Sequence, residues 1–258
     1  MPGDERTLPK AYESHENAYR QLLGKAGRSW NDLQQKVAGP ITDGIDDNDR
    51  RFLQDVLAQP WAPRGGLAVE FGCGTAPMLR WLCGRGFRGI GLEISPTAVE
   101  MARRQSDGLD TVFRQQDVCR ADLDIDEPAD LVLDGRCLHC LTDPADRRTM
   151  LANARTFLKP GGVFVLLSMC GPVDRRRFAK LYAPQKLIGR IIYAPTQAQY
   201  AGCRTLGAKQ YLPTRYLGDW KTILQDVRSA DLVPHLTRVA RGWGDEVNGD
   251  LAVAALRM

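Results

Sequence analysis

The sequence predicts an α/β fold in which a mostly parallel sheet is covered by helices on both of its faces. The first observation is a regular alternation of short apolar runs with amphipathic segments between residues 65 and 170. The second is a glycine-containing turn that follows the first apolar run. The third is an acidic residue at the end of each of three apolar runs along the chain. Such alternation implies right-handed crossovers between parallel strands.

The glycine turn joins a predicted buried strand to a predicted helix. Leu67 to Val69 is a short apolar run, and Gly72 and Gly74 follow it two residues apart. Pro77 stands where a helix would have its first turn, and the apolar positions of residues 78–82 supply a helical face. Glycines are needed where the backbone turns tightly and approaches a ligand, and the helix N-terminus directs free N–H groups to the same place.

The acidic residues recur at a spacing that fits strand–helix–strand units. Glu93 lies 23 residues after Glu70, and Asp117 lies 24 residues after Glu93. Each interval is long enough for one helix and one strand. The three carboxylates are therefore expected at the carboxyl ends of neighbouring parallel strands, where open α/β sheets bind ligands.

Glu70-Phe-Gly-Cys-Gly-Thr75 resembles the acidic-x-Gly-x-Gly signature of class I S-adenosylmethionine (SAM)-dependent methyltransferases. The resemblance covers residues 65–170 strongly and the C-terminal end weakly. It implies a Rossmann-like seven-stranded sheet whose last strand runs antiparallel beside its neighbour. One departure is Ala76, where many members have a third glycine, and a modest change in the turn is expected. Further matching segments are Gly91 to Pro96, Gln116 to Val118, Ala129 to Asp134 and Leu158 to Phe164.

The resemblance implies SAM as the cofactor, S-adenosylhomocysteine (SAH) as its product, and a role for each matched position. Glu93, with Ile94 beside it, is expected to accept hydrogen bonds from the ribose diol. Asp117 is expected to take the adenine amino group, and the backbone N–H of Val118 is expected to contact the adenine ring.

The methionine half of the cofactor is expected at the glycine turn. The resemblance places Glu70 near the methionyl ammonium group, and the backbone of Gly72, Cys73 and Gly74 along the amino-acid part. Asp134, at the end of the fourth predicted strand, is expected to face the methyl-transfer region.

The predicted catalytic residue is His139. Methyl transfer is an in-line displacement at an activated carbon, so the protein mainly aligns the acceptor, and a base is needed only if the acceptor arrives protonated. His139 lies just past the fourth strand and titrates near neutral pH; the alternative is a helix-capping or core histidine. Arg136 either binds an acidic acceptor or is solvated. Cys137 and Cys140 flank His139, but no second pair has ligand spacing, so no metal is expected.

The chain divides into four predicted segments. Tyr12 and Tyr19 lie at helical spacing in the first, which covers either one edge of the sheet or the cofactor mouth with these tyrosines facing in as substrate contacts; both arrangements are compatible. The segments are an N-terminal helical cover (1–60), a SAM-binding α/β core (61–170), a helical cap insertion (171–218) and the C-terminal part of the core (219–258).

The cap insertion is strongly basic and rich in tyrosine. Its nine basic residues and one acidic residue give it a net charge of +8, against +4 for the whole chain, and five of the seven tyrosines lie in it. It is either a solvated basic surface or a binding wall for an anionic or aromatic substrate, with Tyr182 and Tyr193 as wall residues. Nucleic-acid contact is the third alternative.

The predicted activity is methyl transfer from SAM to an O, N, S or C atom of a small molecule. The alternatives are a catalytically inactive SAM-binding module and an RNA-directed methyltransferase that uses the basic cap. A nicotinamide dehydrogenase is disfavoured by Glu70 before the glycines and by Pro77 where a third glycine would stand. Asp134-Gly-Arg-Cys137 replaces the Asn/Asp-Pro-Pro-Tyr/Phe clamp of enzymes that methylate base nitrogens, so nucleic acid is not the expected partner.

The remaining expectations concern compartment and assembly. The N-terminus lacks a basic region followed by an apolar core, and no apolar run approaches the ~20 residues that span a membrane. Seven cysteines without framework spacing indicate reduced thiols. A cytoplasmic monomer or homodimer without membrane partners is expected.

Overall fold

The computed structural model describes residues 8–25, 44–123, 125–241 and 247–258. Parts of the predicted N-terminal cover therefore lie outside the described residues. The predicted alternation of strands and helices is confirmed throughout the core. The strands of its sheet are β1 (Gly66–Phe71), β2 (Phe87–Glu93), β3 (Thr111–Gln115), β4 (Ala129–Gly135), β5 (Leu158–Cys170), β10 (Leu232–Arg241) and β11 (Gly249–Arg257).

The helices begin at the caps that the sequence indicates. The side chains of Asp46, Ser95 and Asp219 each accept a hydrogen bond from a backbone N–H two or three residues further on, as N-cap residues do. The α-helices in the described ranges are α1 (His15–Gly24), α2 (Asp47–Leu57), α3 (Pro77–Cys83), α4 (Pro96–Gln105), α5 (Pro144–Phe157), α6 (Arg175–Leu181) and α7 (Trp220–Ser229).

The main sheet has seven strands in the order β10-β11-β5-β4-β1-β2-β3. Strand β11 is antiparallel to both of its neighbours, and the other neighbouring pairs are parallel. The chain runs outward from β1 to β3 and then returns to β4 on the other side of β1. This reversal opens a crevice at the carboxyl ends of β1 and β4, the place where such sheets bind ligands.

Both faces of the sheet are buried, because alternate residues of each strand point to opposite faces. On β1, Leu67, Val69 and Phe71 pack with the apolar sides of α5 and α7. Ala68 points to the other face, where α2, α3 and α4 supply the packing residues. Helix α1 packs on α4 through a separate small cluster that includes Leu22.

The insertion differs from the expectation of a helical cap. Besides α6 it forms a four-stranded antiparallel sheet in the order β6-β7-β9-β8. Gly189 and Gly207 have positive φ and each begins a two-residue turn between paired strands, a turn type that glycine permits. These turns favour hairpins over helices. The strands are β6 (Lys186–Ile188), β7 (Ile191–Thr196), β8 (Arg204–Leu206) and β9 (Lys209–Tyr216).

Within the described ranges, none of the helices combines the length and the apolar character that crossing a membrane would need.

Candidate cofactor and acceptor site

The glycine turn has the conformation that its residue types require. Gly72 and Gly74 have φ values of 60° and 55°, in the left-handed region. The N–H of Cys73 donates to the carbonyl of Leu92 at 3.2 Å, which ties the turn to the end of β2. Ala76, in place of a third glycine, also adopts a left-handed conformation, with φ 55°. Ala76 thus takes a conformation that glycine adopts more readily, and α3 begins directly after it.

Glu93 ends β2 and binds the turn. One of its carboxylate oxygens accepts from the N–H of Gly74 and the other accepts from the N–H of Ser95, both at 2.9 Å. Burial raises the pKa of this carboxyl group. The predicted ribose-binding residue is therefore also a structural link between β2, the glycine turn and α4.

Asp117 and Gln116 line a cavity of about 390 Å³ beyond the ends of β2 and β3, with Ile94 on its wall. In the described part of the chain, the side-chain oxygen of Gln116 is buried and has no hydrogen-bond partner. The Asp117 carboxylate accepts from the hydroxyl of Tyr12 at 3.0 Å. The neighbouring Val118 is buried, and its carbonyl accepts from the side chain of Asn153 at 2.9 Å. The cavity thus offers acceptors for an amino group such as that of adenine.

Glu70 lies beneath the start of α3. It accepts from the N–H of Leu79 at 3.0 Å, and burial raises its pKa to about 8. A Cβ on Gly135 would lie 2.4 Å from a Glu70 oxygen, so β4 passes the carboxyl group closely. Within the described residues, the nearby hydroxyl of Thr75 is buried without a hydrogen-bond partner. A buried acid and an unpaired hydroxyl at a glycine turn fit a zwitterionic amino-acid group.

Asp134 differs from the sequence expectation. It is fully buried, and its two carboxylate oxygens accept from the N–H groups of Cys137 and Leu138. Burial raises its pKa to about 7. Its role in this structure is to cap the 3₁₀ turn of residues 138–140, because both oxygens serve the turn instead of facing the crevice.

His139 lies in that capped turn, and its hydrogen bonding does not fit the predicted general base. The N–H of Met169 donates to Nδ1 of His139 at 3.3 Å. The neutral ring therefore carries its proton on Nε2, the tautomer that this bond assigns. Burial, followed by the charges of Arg215 and Arg136, lowers the pKa of His139 well below its usual value. The ring nitrogen that remains, Nε2, is therefore a hydrogen-bond donor.

Arg136 forms a network inside the protein. Its guanidinium makes two hydrogen bonds to Asp49 of α2, at 2.7 and 2.8 Å, and one to Asp250 of β11 at 3.0 Å. Arg136 is therefore held in ion pairs instead of being solvated, and its contact with an acidic acceptor stays a prediction. It ties α2 and β11 to the loop after β4.

Helix α1 covers the crevice and is held to α4. Glu16 accepts from the hydroxyls of Ser95 and Thr97 at 2.6 and 2.7 Å. A Cβ on Gly74 would lie 2.3 Å from the hydroxyl of Tyr19, so this hydroxyl stands directly on the glycine turn. Tyr12 reaches Asp117 and Tyr19 stands on the glycine turn, so the described part of the N-terminal segment packs over the crevice. The contacts of Tyr12 and Tyr19 with an acceptor stay a prediction.

The predicted wall residues of the insertion lie in its own packing. The ring of Tyr182 stacks on that of Phe178, with centroids 5.0 Å apart. Tyr193 is buried, and the guanidinium of Arg204 lies 5.4 Å from its ring centroid. Their contacts with an acceptor stay a prediction.

The cysteines are all free thiols, including Cys73 in the glycine turn, Cys137 and Cys140. A Cβ on Gly72 would lie 2.8 Å from the Cys137 sulfur, so this side chain closes the turn from the β4 side. Burial raises the pKa of Cys73 well above its usual value. Among the residues whose positions are described, no three His, Cys, Asp or Glu side chains come close enough to hold a metal ion.

Sequence reasoning missed several residues that complete the site. Thr75 and Gln116 are adjacent to predicted positions, and each carries a buried side-chain oxygen that has no hydrogen-bond partner among the described residues. His15 lies on α1 four residues before Tyr19, and this spacing places both on one helical face. Glu16 and Arg215 show no local signal in the sequence, because their partners are distant in the chain.

Comparison with known proteins agrees with this geometry. The sequence profile of the methyltransferase domain family matches residues 68–162. No curated protein matches the sequence. A structure of a Burkholderia thailandensis 1,6-didemethyltoxoflavin-N1-methyltransferase is 15% identical, with a TM-score of 0.60 and coverage of 100% of this chain and 94% of the other. A DhpI–SAM–HEP complex is 19% identical, with a TM-score of 0.60 and coverage of 99% and 100%.

A third solved structure, a SAM-dependent methyltransferase from Clostridium acetobutylicum, is 13% identical, with a TM-score of 0.57 and coverage of 82% of this chain and 92% of the other. At these identities the solved structures show a shared fold. The assignment of the domain follows from the profile match together with the glycine turn and the strand order. Residues 68–162 therefore resemble a methyltransferase domain, and the chain shares the fold of solved SAM-dependent methyltransferases.

Proposed function

We propose that this chain transfers a methyl group from SAM to a small-molecule acceptor. The observation that carries the proposal is that the N-terminal segment and the insertion, which are distant in the sequence, contact each other over the crevice. The N–H of Ala201 in the insertion donates to the carbonyl of Pro9 at 2.8 Å, and the side chain of Asn17 donates to the Tyr200 hydroxyl at 3.3 Å. Two segments that meet over the crevice favour an acceptor that fits beneath them over a polymer that lies across them.

The residues of the crevice would each bind a different part of the cofactor, in order along the sheet. Asp117 and Gln116 would hold the adenine, and Glu93 would accept the ribose hydroxyls. Glu70 and Thr75 would hold the methionyl ammonium and carboxyl groups. When bound, SAM supplies an electrophilic methyl group that needs no further activation. The protein then contributes mainly alignment of the acceptor and exclusion of water.

The Asp134-capped turn would position the acceptor side of the crevice. Because Nδ1 of His139 is engaged by a backbone N–H, the ring is arranged to orient an acceptor and not to remove its proton. The neighbours support the small-molecule reading, since one of them is a 1,6-didemethyltoxoflavin-N1-methyltransferase with its substrate and SAH bound.

The test combines cofactor binding with label transfer. Calorimetry of the full chain with SAH and with NAD is expected to show binding of SAH alone. Incubation with methyl-labelled SAM and a cell extract is then expected to place label in the low-molecular-weight fraction. Label in RNA would support the RNA-directed alternative, and SAH binding without any transfer would support an inactive binding module. Failure to bind SAM and SAH would refute the proposal.

A further inference from the structure

Three basic side chains from separate parts of the chain meet at the turn after β4. His15 comes from the cover helix α1, Arg215 from strand β9 of the insertion, and His139 from the turn itself. Nη1 of Arg215 lies 3.2 Å from Nε2 of His15 and donates to the carbonyl of Thr214 at 2.7 Å. The charge of Arg215 also contributes to the lowered pKa of His139. We refer to these three residues as the His–Arg–His cluster.

The protonation states within the cluster follow from its hydrogen bonds. A guanidinium can only donate, so Nε2 of His15 accepts and its proton lies on Nδ1. Burial, together with the adjacent Arg215, lowers the pKa of His15 to about 3. His139 accepts at Nδ1 and therefore presents an Nε2–H donor. At neutral pH the cluster combines one permanent positive charge with a donor N–H, while the lone pairs of both rings are already engaged.

The cluster adjoins the glycine turn on the side away from the adenine cavity. In the sheet, β4 flanks β1 on one side, whereas β2 and β3, which carry Glu93 and Asp117, lie on the other. The turn holding His139 follows β4. His15 lies one helical turn before Tyr19, whose hydroxyl stands on Gly74. This is the position in which a methyl acceptor would meet the methionine end of the cofactor.

Arg215 points into the protein, unlike most of the charged side chains of the insertion. Arg175, Arg176 and Arg177 are exposed and form the first turn of α6. Arg215 is partly buried and contacts a residue of the cover helix. Arg136, the other arginine near the turn, is held by two aspartates.

We propose that Arg215 and the Nε2–H of His139 bind an oxyanion of the methyl acceptor, which makes the acceptor a small carboxylate or phosphoryl acid. This inference rests on the proposed methyl-transfer function and names the class of its substrate. An oxyanion matches a site of donors, because a guanidinium pairs with carboxylate and phosphoryl oxygens through parallel hydrogen bonds. His15 orients the guanidinium by accepting from it. The acceptor enters the site already deprotonated, in keeping with the engaged base nitrogen of His139.

The experiment uses the full-length protein saturated with SAH and four probes: acetate, benzoate, phenylphosphonate and the neutral benzamide. Thermal shift and calorimetry are expected to show binding of at least one anion and weaker binding of benzamide than of benzoate. Arg215→Gln is expected to weaken the affinity for the bound anion about 10- to 100-fold, the loss typical of a hydrogen bond to a charged group. Arg176→Gln removes an exposed charge from the same insertion and is expected to change the affinity less than about twofold.

Three results would overturn the inference: no anion binds, benzamide binds as tightly as benzoate, or Arg215→Gln leaves the affinity for the anion unchanged. SAH affinity, measured on each variant, shows that the fold is retained. If Arg215→Gln does not fold, Arg215→Lys keeps the charge without the planar fork and is expected to bind the anion with intermediate affinity. If the wild-type protein does not bind SAH, that result refutes the proposed function instead.

Discussion

Replacement of Glu93 tests the cofactor site most directly. An ionised carboxylate has about four acceptor positions, and the N–H groups of Gly74 and Ser95 occupy two of them, each at 2.9 Å. In the proposed site the remaining acceptor capacity serves the ribose diol. Glu93→Ala removes all four, whereas Glu93→Gln keeps one carbonyl oxygen and places an NH₂ donor where an acceptor is required. The two variants should therefore differ in both cofactor affinity and stability.

The magnitudes follow from the bonds that are lost. Two charge-assisted hydrogen bonds to the diol are worth ~1.5–3 kcal/mol each, so Glu93→Ala should raise the SAH Kd about 10²- to 10⁴-fold. It also leaves two buried N–H groups unpaired, at ~1–3 kcal/mol each. At ~2–4 °C for each kcal/mol in a chain of this size, the melting temperature should fall by ~4–24 °C. Glu93→Gln should show about half of each effect in free energy.

Titration calorimetry with SAH and thermal unfolding, run on the same samples, measure both quantities. Glu100→Gln is the matched control, because Glu100 lies on the helix that follows Glu93 and pairs with Arg104 in an exposed i,i+4 contact. The control should bind SAH as the wild type does. The reasoning would be refuted if folded Glu93→Ala bound SAH within about threefold of the wild-type affinity; should that variant not fold, Glu93→Gln carries the test.

Two further predictions concern stability. Arg136→Ala leaves two largely buried aspartates without their cation, so chemical denaturation should show a loss of about 3–5 kcal/mol. Arg238→Ala breaks an exposed ion pair that joins the same helix α2 to the C-terminal strands, and should cost less than about 1 kcal/mol; equal losses would contradict a buried network. Burial raises the pKa of Glu70 to about 8, so the native cofactor-free protein binds more protons than the unfolded chain between pH 4.5 and 8. The stabilisation from the neutral form is complete below about pH 4.5 and is lost as the pH rises through about 8. Glu70→Gln should flatten the fall of the melting temperature across this range, and an unchanged slope would show that Glu70 is not buried as described.

The core of the fold was predictable because its signals are local. Apolar runs alternate with amphipathic segments over residues 65–170, and Gly72 and Gly74 mark the one turn that a ligand must approach closely. The spacing of Glu70, Glu93 and Asp117 placed three carboxylates at strand ends, and the structure brings them to the same edge of the sheet. Each of these inferences uses residues within one strand–helix unit.

The insertion shows how a strong compositional signal conceals a conformational one. Its charge and tyrosine content indicate a binding surface but carry no information on the backbone conformation. Gly189 and Gly207 each begin a two-residue turn between short strands, and this local pattern was sufficient to predict hairpins. The helical prediction was wrong because β6 and β8, which flank these turns, are only three residues long each.

By itself the sequence determined the α/β core, the resemblance to methyltransferase domains and the placement of three carboxylates at strand ends, since these depend on motif, periodicity and spacing along the chain. Only the tertiary structure decided what individual polar side chains do there. Arg136 meets Asp49 from 87 residues away, and Arg215 meets His15 from 200 residues away. A side chain's hydrogen bonds depend on whichever groups folding brings within about 3 Å, and these partners leave no trace in the local sequence.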